Sequence, residues 1–158
     1  MLIALPAIKA HLRLEADYPD AQVSIYADAA AEAAAQFMNR RVFATDADLL
    51  AARALVPAAL QAASVAHAAA VEAASQISDP VLRCAELDSA DSVYRAAQAA
   101  AAETRAGLVI NAAVNAAILL ICGHLFENRQ DVITGTIATQ IPNGSLYLLQ
   151  PYRVGLGV

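Results

Sequence analysis

Cys122, His124 and Glu127, close together near the end of a long apolar segment, are the first side chains with the makings of a metal or catalytic site. His and Glu three residues apart share a helix face, but carboxylate-bridged dimetal bundles place Glu before His on two helices and add two further Glu. Here the order is reversed and occurs once, and Cys122 is two residues from His124, so on a helix the two point apart. Neither cysteine has a histidine at a recognisable nucleophile spacing, and the chain holds no Gly-x-Ser-x-Gly elbow and no phosphate loop. The sequence therefore predicts no enzyme, no metal and no cofactor, with His124 bonded to a neighbour or a carbonyl. Glu127-Asn128-Arg129 is the polar cluster of most interest. It reads either as a helix end, with Asn128 near the C-cap and Arg129 balancing the dipole, or as an ion pair within or between subunits. Tyr152-Arg153, after Pro151, suits either a tail packed on its own domain or an anchor for a partner.

Positioning these residues falls to a chain of 158 residues, a length that predicts one domain. Hydrophobic residues make up 59% of it, yet about a quarter of all positions are Ala, a strong helix former that buries little area. With aromatic residues at 5%, no Trp and a mean hydropathy of +0.48, a lone compact monomer would have a thin core. Contact between subunits is the expected remedy. The net charge of -5 includes a single lysine, Lys9, and gives no basic stripe for phosphates, although an acidic wall can surround DNA without holding it. No secretory leader is visible, and Cys84 and Cys122 read as reduced core residues. Leu108–Phe126 approaches the length of a bilayer span, but Asn111, Asn115, His124 and its alanines favour a buried helix in a soluble assembly.

Periodicity predicts an all-α helical bundle. A short amphipathic helix covers Leu5–Leu14, with Pro6 in its first turn, and Asp17-Tyr18-Pro19-Asp20 is a turn and helix start. A long helix follows from Asp20 to Arg41, with Val23, Tyr26, Ala30, Ala33, Phe37 and Met38 at helical spacing. An alanine-rich helical hairpin occupies 45–105, its arms at about 48–77 and 79–105, with Ser78 or Asp79 as N-cap before Pro80. Pro57 should kink or split the first arm, and small residues should let the two backbones approach closely. Beyond Gly107 a helix apolar on nearly every face runs from Leu108 to Asn128, with Asn111 and Asn115 on one side of it. Residues 130–141, rich in β-branched side chains and Gly, predict an extended arm, followed by a short helix over Leu146-Leu148-Leu149.

Two stretches carry a resemblance. Lys9-x-His11-Leu12-Arg13, an acidic Asp17-x-x-Asp20 turn and a helix closing on Asn39-Arg40-Arg41 form the first. The second is an apolar helix ending in Glu127-Asn128-Arg129, a polar arm, the Pro142-Asn143-Gly144 turn, a short Leu-Leu helix and Pro151-Tyr152-Arg153. In this order they resemble the head-to-tail connector, or adaptor, family of tailed bacteriophages, over roughly half the chain; the 45–105 hairpin departs from the short members. The resemblance implies a virion protein at the head–tail junction, made in the bacterial host cytoplasm and forming a ring, twelve-fold in this reading. Its partners would be further copies of itself, the portal protein, and a downstream connector or tail protein, with DNA passing through the lumen and no membrane involved. It also implies subunit or partner contacts at Glu127, Asn128, Arg129, Tyr152 and Arg153 and, on the arm, at Ile133 and Ile137; Arg129→Glu should then fold and fail to close the ring. A cytoplasmic helical-bundle binding module or regulator, monomeric or dimeric, is the alternative.

Overall fold

The computed structural model describes residues 1–128 and 144–155. The chain is all-α: 76% helical, with six α-helices and two short strands among the described residues. It divides into two compact units, Met1–Asp46 with Leu108–Val158, and Ala47–Gly107.

The first unit is built on α5 (Ala112–Glu127), which packs against α1 (Leu5–His11), α2 (Asp20–Met38) and α6 (Gly144–Leu149). Val114, Ala117, Ile118 and Cys122 of α5 meet Val23, Ala27, Ala30, Ala34 and Met38 of α2 in one core, joined by Ile8 and the fully buried Leu149. The alanines of α2 recur at three and four residues, so they line its buried face and admit the bulkier α5. The buried position is Ala34; Ala33 is exposed.

Several boundaries differ from the periodicity. α2 stops at Met38 because Asn39 takes the left-handed conformation (φ 53°), placing Arg40 and Arg41 beyond the helix. The long apolar helix starts at Ala112, four residues later than its hydrophobicity suggests. Asn111 is its N-cap, with Oδ1 accepting from the Val114 amide at 3.0 Å, so Asn111 and Asn115 do not share a helical face. The residues before it form β2 (Leu108–Val109), paired in parallel with β1 (Val42–Phe43) in the register Val42 to Leu108 and Phe43 to Val109. A two-residue ladder has no readable alternation, though both strands carry the β-branched or aromatic side chains that favour it.

The second unit is the hairpin, α3 (Asp46–Ser75) and α4 (Pro80–Arg105). Asp79 caps α4 by accepting from the amides of Val81 (2.8 Å) and Leu82 (3.2 Å), with Pro80 in the first turn. Pro57 removes the amide that would bond the Arg53 carbonyl, yet α3 runs through it unsplit. Three cross-links fix an antiparallel register: Arg53 donates to the Gly107 carbonyl (3.3 Å), His67 meets Asp91 (2.8 Å), and Arg83 donates to the Ile77 carbonyl (3.2 Å).

Candidate functional site

The polar cluster at the end of α5 is partly a cap. Asn128 donates from its backbone amide and from Nδ2 to the His124 carbonyl, both at 3.0 Å, and its Nδ2 lies 3.1 Å from His124 Nδ1. His124 is therefore bonded to a neighbour four residues away. Glu127 is exposed, while Arg129, Ile133, Ile137 and the arm 130–141 lie outside the described residues. Just before Glu127, Phe126 meets Tyr18 and Tyr26 edge-on at 6.0 and 5.6 Å, tying the end of α5 to the start of α2.

Tyr152 and Arg153 are held by their own unit. The Arg153 guanidinium lies 5.2 Å from the centre of the Phe37 ring, and half-buried Tyr152 packs on the core. The backbone around them covers the end of α2. Val154 donates to the Met38 carbonyl at 3.0 Å, Asn39 Nδ2 to the Val154 carbonyl at 3.1 Å, and Arg40 to the Tyr152 carbonyl at 3.2 Å. Here the chain end satisfies the carbonyls and turn that terminate a helix.

Lys9 is a site the periodicity does not reveal. Its side chain is 11% exposed, and its ammonium donates to the Ala16 carbonyl at 2.7 Å and reaches Asp20 Oδ1 at 2.6 Å, clamping α1 to the start of α2. That the single lysine lies eleven residues before a helix-starting aspartate is the only signal of it in the sequence. Asn115 Oδ1 is buried without a hydrogen-bond partner among the described residues.

The cysteines differ from each other. Cys122 is buried, and burial pushes its thiol above the ordinary 9.0, so it is unreactive; Cys84 is exposed and not a core residue. Cys84 shares its side of α4 with Asp88 and Arg95, which lie four and eleven residues on. Both thiols are free. No group of three or more His, Cys, Asp or Glu positioned for a metal occurs among the described residues.

In the hairpin unit the arms do not close against each other. His67 stacks on Tyr94 at 4.9 Å while bonding Asp91, but the alanines on either side of this cluster are too small to fill the space. A groove of about 470 Å³ remains, lined by Ala63, Ala66, Ala70, Ala73, Val93 and Tyr94 among others. Six aliphatic side chains of the unit point into solvent: Leu50, Leu55 and Val65 on α3, and Val81, Leu82 and Val93 on α4, all between 59 and 75% exposed. No Asp, Glu, Lys or Arg occurs from 54 to 71, whereas α4 carries seven between Arg83 and Arg105. By length and composition α3 alone among the described helices could cross a membrane.

No family model, curated protein or solved structure matches this chain.

Proposed function

We propose that the protein is a structural head-to-tail connector of a tailed bacteriophage, closing into a twelve-fold ring beneath the portal and extending the DNA channel. One observation supports this reading most. The two stretches that resemble connectors, 5–41 and 108–153, belong to one compact unit although more than sixty residues separate them, and the divergent hairpin forms the other unit. The chain leaves the first unit after β1 and re-enters it at β2, side by side, as an insertion into a pre-existing domain would. The negative net charge suits a channel through which DNA slides without sticking.

In this reading the work is done by surfaces. The α2–α5 pair is the subunit body, Glu127, Asn128 and Arg129 mark the end of its central helix, and Ile133 and Ile137 belong to an arm that reaches a neighbour or the portal. Docking to a portal ring tests the proposal. The full-length protein should co-sediment with purified portal and add a ring of density beneath it in negative-stain images; portal rings that stay bare at micromolar protein would refute it.

The exposed aliphatic side chains of the hairpin would equally serve a cytoplasmic helix-binding module. Such a module would be monomeric or dimeric and indifferent to portal rings.

A further inference from the structure

α3 carries two apolar seams and only one is covered. Leu49, Val56, Leu60, His67, Val71 and Ala74 are buried or half-buried. The second seam, Ala51, Leu55, Ala58, Ala62, Val65 and Ala69, recurs at alternating spacings of four and three, the interval of knobs-into-holes helix packing. All six residues are exposed, Leu55 at 69% and Val65 at 64%. A helix apolar all round is ordinarily buried by something.

Two properties of the hairpin bear on what could cover this seam. A bilayer is a poor occupant, because α4 runs antiparallel beside α3 and would carry its seven charged residues into the hydrocarbon. The groove between the arms, in contrast, is an empty seat of matching size. Its α3 wall runs from Ala63 to Ala74, about 16.5 Å of helix, while Leu55 and Val65 lie about 15 Å apart along the seam. Both knobs fit within that length, and six alanines with Ile77 and Val93 supply most of the lining, beside the polar His67, Glu86 and Ser89.

We propose that the second seam of one copy lies in the hairpin groove of the next copy. Rested on the ring reading above, this gives each subunit two different complementary surfaces, as a head-to-tail interface requires. Pairing seam with seam would leave both grooves empty, whereas one seam-in-groove contact covers both. A contact with two large knobs and otherwise alanine lies toward the small end of specific interfaces. A pair of subunits is then weakly held, and closure, which gives every subunit two such contacts, supplies the remainder.

Two kinds of variant of the full chain test this, all in a Cys84→Ser background. Leu55→Glu with Val65→Glu alters only exposed positions, so helicity by circular dichroism should be unchanged while half-assembly requires at least tenfold more protein. For geometry, Val65→Cys and Val93→Cys are made as separate proteins; oxidising their mixture should give a cross-linked dimer, and oxidising either alone should not. Rings that form normally from the double glutamate variant would overturn the seam contact and leave the ring reading standing. Dimers from Val65→Cys alone would show seam-on-seam pairing and overturn it as well. A parent chain that stays monomeric at every concentration would overturn the seam contact and a self-closing ring, leaving portal docking to decide the connector reading. Flotation with phosphatidylcholine–phosphatidylglycerol vesicles that is abolished by the glutamates would assign the seam to lipid instead.

Discussion

Replacing Lys9 by Met keeps the aliphatic stem and removes the ammonium, which separates the two interactions that this lysine makes. The Ala16 carbonyl loses a charged donor at 2.7 Å on a side chain only 11% exposed, a loss worth about 1.5–3 kcal/mol. The contact with Asp20 adds little, because that carboxylate is 66% exposed and pairs of this kind are worth roughly 0–1 kcal/mol. Lys9→Met should therefore cost about 2–3 kcal/mol, or roughly 4–12 °C in Tm for a chain of this size. Asp20→Asn should cost about 1 kcal/mol or less, including its share of the α2 dipole. Urea unfolding followed by near-ultraviolet circular dichroism reports on this unit through Tyr18, Tyr26 and Phe126. At 0.5 M NaCl the Asp20→Asn effect should shrink and the Lys9→Met effect largely remain. The clamp is refuted if Lys9→Met lies within about 0.5 kcal/mol of the parent, or if Asp20→Asn costs as much as Lys9→Met.

Further outcomes follow from single residues. Asp79→Ala removes the acceptor for two amides at the start of α4 and should destabilise the hairpin by about 1 kcal/mol in thermal unfolding monitored at 222 nm. Gly123→Ala should be neutral or stabilising by up to about 1 kcal/mol, since the added methyl would lie 3.6 Å from His11 and 3.8 Å from Leu12, ordinary contact distances inside a helix; a lower Tm would contradict this. A thiol reagent should label Cys84 at once and Cys122 only on unfolding. Because burial raises the Cys122 thiol, the unfolded chain releases its proton first, so stability should fall as pH rises past about 9 and the fall should end above the folded value. In Cys122→Ala that alkaline slope should flatten.

Much of the fold was legible because its helices carry strong local signals. Pro80 after Asp79 marks the hairpin turn, and the alanine and valine spacing of α2 marks its buried face. What stayed hidden was decided by contacts distant in sequence. The start of α5 depends on whether Leu108 pairs with Val42, and hydrophobicity alone extends the helix through it. Tyr152 and Arg153 offered two fates until the end of α2 arrived to be covered. The hairpin departed from expectation for a physical reason: alanine permits close approach but does not enforce it, and across from His67 and Tyr94 the space is left open. The exposed seam of α3 was in the sequence throughout, but only burial separates it from the seam that is used.

Native mass spectrometry of the full-length protein, from nanomolar to tens of micromolar, tests the central proposal most directly. The connector reading predicts a closed ring of about twelve copies, formed cooperatively with few intermediates. A strict monomer or dimer over the whole range would contradict a ring that closes by itself.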